Sequence, residues 1–180
     1  MKKLFLFVVS ASLLLFAGCD ELTEVTIPVI DKVTIPIGEI EIGDALRAAS
    51  EGYTPFEMTQ SISIDDLGLG SYKNTIKHVV GVAIQKASVR VYTDADGDYD
   101  VENFKIVTLG SSPLNFELES YVLDTWYTDN DLKVFAENFV KKALTETFTV
   151  KLTGETNLPE GEILKAEIVL EGLSIKIKVL

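Results

Sequence analysis

From Val25 onward, alternation of apolar and polar residues dominates, a two-residue period that points to strands. Successive side chains of a strand point to opposite faces, so Phe148-Thr149-Val150-Lys151-Leu152 buries one face and wets the other. The pattern continues through Leu164, Ala166, Ile168 and Leu170, then through Leu173, Ile175, Ile177 and Val179. Between these sets Glu171-Gly172 reads as the two-residue turn of a type I′ hairpin. That register predicts Ile168 opposite Ile175, Ala166 opposite Ile177 and Leu164 opposite Val179. Glu167 would then face Lys176 on the outer side, and Lys165 would face Lys178.

Nearer the start, Val25-Thr26-Ile27-Pro28 returns eight residues later as Val33-Thr34-Ile35-Pro36. Proline has no N–H to give to a ladder, so Pro28 and Pro36 are expected on edge strands or at strand ends. A change of phase at Gly38-Glu39 predicts a bulge. Asp44 to Ser50 and the stretch from Ser71 to Lys77 are expected to form short helices, with Asp44 and Ser71 as N-caps. Phe56 to Ile64 alternates again. From Val79 to Thr93 the chain reads as one long strand whose inward parity switches near Gln85 or Lys86, as one extra residue would cause. Further strands are expected near Phe104–Leu109 and Leu114–Leu123.

One segment has helical period. Between Asp129 and Thr145, residues Leu132, Phe135, Ala136, Phe139 and Ala143 share a face, with Asp129 or Asn130 as N-cap. Lys141 and Lys142 sit in the last turn, favouring the negative end of the dipole, and Glu137 is placed to pair with Lys141. This helix is expected to carry the chain from one sheet to the other over an open end of the core. The fold class that follows is mainly β: a two-sheet Greek-key sandwich of about eight to ten strands with one amphipathic helix near 130–145.

The amino terminus is of another kind. Lys2 and Lys3 precede an uncharged run from Leu4 to Phe16, and small residues follow directly before Cys19, the only cysteine. A basic start, a short apolar stretch and small residues make a secretory signal, too short for a spanning helix of roughly 20 residues. Phe16-Ala17-Gly18-Cys19 resembles the lipobox of bacterial lipoproteins. The resemblance implies cleavage before Cys19 and a diacylglycerol on its sulfur. The expected organisation is a signal peptide at 1–18, a lipidated cysteine and short tether at 19–24, and one sandwich domain at 25–180. The β-rich layout also resembles the immunoglobulin-like domains of surface lipoproteins, although the Cys–Trp–Cys triplet is missing. The implied location is the bacterial cell envelope, lipid-anchored, periplasmic or surface-facing. Asp20 resembles an inner-membrane retention signal of enteric bacteria, which other bacteria read differently; the outer membrane is the expected one.

Charge narrows the partners. The full chain carries −12, and removing a leader with two lysines and no acid leaves −14. Such a surface repels phosphate, which argues against nucleic acid and against the domain lying flat on anionic lipid. With Cys19 acylated no thiol remains for a disulfide, a zinc-thiolate site or a nucleophile.

Three places draw attention for chemistry. Asp94, Asp96, Asp98, Asp100 and Glu102 form an oxygen-rich stretch that either binds calcium or makes a solvated hairpin loop. Its spacing departs from the EF-hand, because Tyr99 or Tyr92 falls where glycine or the first ligand is required. Trp126, Tyr127 and Asp129 either stack on and hydrogen-bond a sugar, or Trp126 plugs the core. His78 is the only histidine, so any Ser-His-Asp chemistry would have to run through it, and no serine-elbow motif is present; a His₂ zinc site is impossible. Gly68 and Gly70 lack the Lys-Ser/Thr of a phosphate loop. A carboxylate pair, at Asp65-Asp66 or in 94–102, is the remaining route to catalysis, as glycoside hydrolysis.

The expectation is a non-enzymatic, membrane-tethered binding or assembly module for a protein or glycan. No cofactor is expected beyond a possible calcium ion. The alternatives are a small carboxylate-dependent glycan hydrolase and a structural subunit pairing through an edge strand.

Overall fold

A computed structural model describes residues 23–43, 52–72 and 78–179. The leader, Cys19 and the helix expected at 44–50 lie outside the described residues. Of the segment expected to be helical from Ser71, only a 3₁₀ turn at Gly70–Tyr72 is described. Alternation produces eight strands: β1 (Thr23–Glu41), β2 (Thr54–Ile62), β3 (Val79–Ala83), β4 (Lys86–Thr93), β5 (Asp100–Thr108), β6 (Asn115–Val122), β7 (Phe148–Thr156) and β8 (Ile163–Val179). Helix α1 (Asn130–Ala143) joins β6 to β7.

The strands form two antiparallel sheets, a mainly β sandwich as the alternation implied. In the first sheet β8 is central, with β1 along one side and β3 and β4 end to end along the other. The second runs β2-β7-β5-β6. Inward rows from both sheets make one core, with Phe104, Ile35, Ile37, Ile106, Leu152, Leu164 and Ile168 fully buried.

The pairing is nested: β1 with β8, β2 with β7, β4 with a bridge at Tyr127, and β5 with β6 at the centre. Such an order arises when one long antiparallel hairpin is rolled up, and it is that of a double Greek key, or jelly roll. It differs from the ABED and CFG sheets of an immunoglobulin domain.

The expected hairpin at Glu171-Gly172 does not form. β8 runs unbroken through it, with Gly172 at φ +64°. Ile168 stands opposite Ile35 and Val89, while Ile175 stands opposite Ile27 and Val82. Glu167 pairs with Arg90 rather than Lys176. The reason lies in the neighbours, which change phase in the same row. Asp31-Lys32 in β1 and Gln85-Lys86 between and into β4 both step outward beside Glu171-Gly172. The inward rows resume on each side, at Ile30 and Val33, Ile84 and Ala87, Leu170 and Leu173. A shared crease crosses the sheet, and straight through it β8 gains partners on both sides, whereas a hairpin would give each half one partner.

The parity switch expected near Gln85 is the gap between β3 and β4. The Val-Thr-Ile-Pro echo also has a structural meaning. β1 pairs only with β8, and its register with β8 shifts directly after each proline, between Pro28 and Ile30 and between Pro36 and Gly38. Each repeat thus ends in a bulge on an edge strand, where the missing N–H is tolerated.

α1 starts at Asp129, whose carboxylate accepts from Leu132 N–H at 2.6 Å. Leu132, Phe135, Ala136, Phe139, Val140 and Ala143 are buried. The helix does not transfer the chain between sheets, because β6 and β7 belong to the same one. It leaves the second sheet, packs beside β3 and β4 of the first, and returns. Its aromatic face explains the detour, with Phe135 6.0 Å from Phe116 of β6 and Phe139 5.2 Å, edge-on, from Phe148 of β7. Glu137 accepts the Ile84 N–H at 3.2 Å in the β3–β4 gap, so it serves that break rather than the expected pair with Lys141. Lys142 is buried, donating to Ser112 O at 3.1 Å and pairing with Glu146 at 2.9 Å.

Candidate binding face on β4 and β8

Between β6 and α1 the segment 124–128 runs along the open edge of β4. Val89 N–H donates to Tyr127 O and Tyr127 N–H to Val89 O, both at 3.0 Å. Asp124 N–H reaches Val91 O at 2.9 Å, and Thr128 Oγ1 reaches Ala87 O at 2.7 Å. Alternation along this added ribbon decides the fate of its two aromatics. Tyr127, opposite the buried Val89, turns inward with its ring 5.9 Å from Phe116. Its hydroxyl donates to Asp129 at 2.5 Å, and that bond pushes its pKa up to about 12. Trp126 faces the other way and is 49% exposed, so it does not plug the core.

What Trp126 meets is Arg90. The guanidinium carbon lies 4.8 Å from the Trp126 ring centre and 4.2 Å from that of Tyr92. Arg90 and Tyr92 share the outer side of β4 because they are two residues apart. Across the ladder stand Glu167 and Lys165 of β8. Arg90 Nε and Nη2 donate to Glu167 Oε1 at 3.1 and 2.8 Å. Lys165 lies 5.9 Å from the Tyr92 ring centre and is hydrogen-bonded to Asp94, which raises its pKa. The result is a row of alternating rings and cations, Trp126–Arg90–Tyr92–Lys165, with two carboxylates holding the cations in place. Stacked rings beside fixed donors and acceptors suit a flat ligand face with hydroxyl or amide edges.

Of the three residues expected to bind together, only Trp126 belongs to this row; Tyr127 and Asp129 build the helix cap beneath it. Nothing in the local sequence marks Arg90, Tyr92, Lys165 and Glu167 as one binding site. The available signal was that Arg90 and Tyr92 occupy the outward parity of a strand, yet pairing them with β8 needs the register.

The five acids considered for calcium are dispersed. Asp94 holds Lys165, and Asp96 gives only its backbone carbonyl, to the Tyr99 hydroxyl at 3.0 Å. Asp98 is exposed, and Glu102 lies within β5. Asp100 accepts from the Tyr53 hydroxyl at 2.8 Å, which pushes that phenol up to about 12. Among the described residues no three His, Cys, Asp or Glu are arranged to hold a metal ion. Asp66 accepts from the hydroxyl and the N–H of Ser63 at 2.6 and 2.7 Å, and its pKa is lowered, first by the hydroxyl. His78 is exposed at the entrance to β3. Glu57 and Glu155 line a shallow groove of about 400 Å³ outside the second sheet, where Glu57 pairs with Lys151 at 2.5 Å.

No described helix is long and apolar enough to cross a membrane. No family model matches the chain, and no curated protein does. One similar solved structure, titled Desmodium yellow mottle tymovirus, is 9% identical over 90% of this chain and 91% of that one, with a TM-score of 0.32, too low to bear on fold or function.

Proposed function

We propose that this is an envelope lipoprotein, anchored through acylated Cys19, that works as a non-enzymatic binding or assembly module for a protein or glycan. The observation that carries the reading is the half-exposed Trp126 stacked on Arg90 in a row with Tyr92. Large aromatics are normally buried, and one held exposed by a cation is preorganised for a partner. The Phe16-Ala17-Gly18-Cys19 sequence supplies the anchor.

Trp126 is the only tryptophan, so its emission reports directly on this face. Titration with cell-wall and polysaccharide fragments should shift that emission for a matching glycan. Pull-down from envelope extract should recover a protein partner that the Trp126→Ala and Tyr92→Ala variants no longer hold. An unshifted emission, together with unchanged recovery by both variants, would remove this face from the function. Cys19→Ser should release the protein from membranes; retention would refute the anchor.

A further inference from the structure

The two ends of the first sheet differ in charge, and β1 starts at one of them. β1 begins at Thr23, opposite Val179, so the first residues of β1, the last of β8 and all of β3 form one end. Exposed there are Lys176, Lys178 and His78, with Glu24 opposite Lys178; with Asp20 and Glu21 in the adjoining sequence this end is close to neutral. Val25 and Val80 are among the few large apolar residues left exposed, at 37% and 43%. The other end, where Glu41 meets Ile163, carries Glu41, Glu160 and Glu162 and the loop with Asp94, Asp96 and Asp98.

We infer that the end with Lys176 and Lys178 faces an anionic lipid bilayer, and that the Trp126 face stands away from it in the aqueous space. The inference rests on the anchor proposed at Cys19. Three residues separate Cys19 from Thr23, and the four steps between them span at most ~14 Å, which keeps this end at the membrane. Lysines with exposed valines beside them suit the headgroup layer, where stems lie on apolar surface and ammonium groups meet phosphate. The acidic far end is repelled by the same surface, so the charge asymmetry turns the long axis of β8 upright. At ~3.3 Å per residue, β8 from Lys178 to Glu167 is ~36 Å long, which sets the height of the Arg90–Glu167 pair.

The single thiol and single tryptophan make the test direct. The chain from Cys19 is coupled through its thiol to maleimide-headgroup lipid in phosphatidylglycerol-containing vesicles, so orientation is read whether or not cells acylate the cysteine. Brominated lipids should leave Trp126 emission unchanged and should quench most of the emission of Val80→Trp in a Trp126→Phe background. Lys176→Glu with Lys178→Glu removes an attraction of about five-fold per lysine and should let Trp126 be quenched. Equal quenching of the two tryptophan positions in the parent, or no response to the charge reversal, overturns the orientation. Mass spectrometry of Cys19 from cells, showing a free thiol, overturns the anchor instead.

Discussion

The side chain of Gln85 fills the space that a Cβ on Gly172 would need, with its Cγ and Cδ 2.4 Å from that position. Gly172 also has φ +64°, a conformation that costs an L-residue ~1–2 kcal/mol. Gly172→Ala should therefore lose that amount plus a smaller cost for displacing Gln85, whose exposed, flexible side chain can swing aside. Adding Gln85→Ala should recover the smaller part and leave the backbone part. Chemical denaturation of the two variants checks this; equal stability of single and double variants would mean that Gln85 is not the obstacle.

Removing Arg90 should cost more than removing Trp126. Arg90→Ala leaves Glu167, whose side chain is only 16% exposed, without its partner, a penalty of ~1–3 kcal/mol. Trp126→Ala loses one cation–ring contact at a partly open site, ~0.5–1 kcal/mol. Melting temperatures of the two variants give the order directly, and the reverse order would contradict the geometry described.

Asp129 has two roles that one substitution separates. Asp129→Ala removes the N-cap of α1, with an expected loss of ~1 kcal/mol. It also removes the acceptor of the Tyr127 hydroxyl, so that phenol should titrate below its value of about 12 and nearer the ordinary 10.0. Denaturation reads the first effect and ultraviolet absorbance titration the second. A stability loss without a change in titration would place the Tyr127 hydroxyl on another acceptor.

Alkaline pH should lower the stability of the protein in a defined window. Tyr53 and Tyr127 are both pushed up to about 12 from 10.0, chiefly by hydrogen bonds to Asp100 and Asp129, and Lys165 is raised by Asp94. Between pH 10 and 12 the folded form therefore keeps protons on the two phenols that the unfolded chain has lost. Their stabilisation is complete below pH 10 and disappears as pH rises through 12. Melting temperature measured across this range should fall, and Tyr53→Phe should flatten part of the fall. A constant melting temperature would show that these hydrogen bonds do not persist in solution.

Much of the sandwich was legible because alternation reports which side chains share a face. The inward sets Phe148-Val150-Leu152 and Leu164-Ala166-Ile168-Leu170 are buried as the pattern implied. The α1 face was legible for the same reason at helical period, and Asp129 as its cap. The binding row was not, because Trp126, Arg90 and Lys165 lie far apart in sequence and meet only through the β4–β8 register and the bridge at Val89.

The chain by itself determined the strands, their inward faces, the edge character of β1 and the place of the helix, since local chemistry and period suffice for each. Whether Glu171-Gly172 turns back or runs on was decided by tertiary structure alone. A two-residue turn and a crease both reverse parity, so the local pattern is the same for either. The choice fell to Asp31-Lys32 and Gln85-Lys86, which step outward in the same row and give a straight β8 hydrogen-bonding partners on both sides.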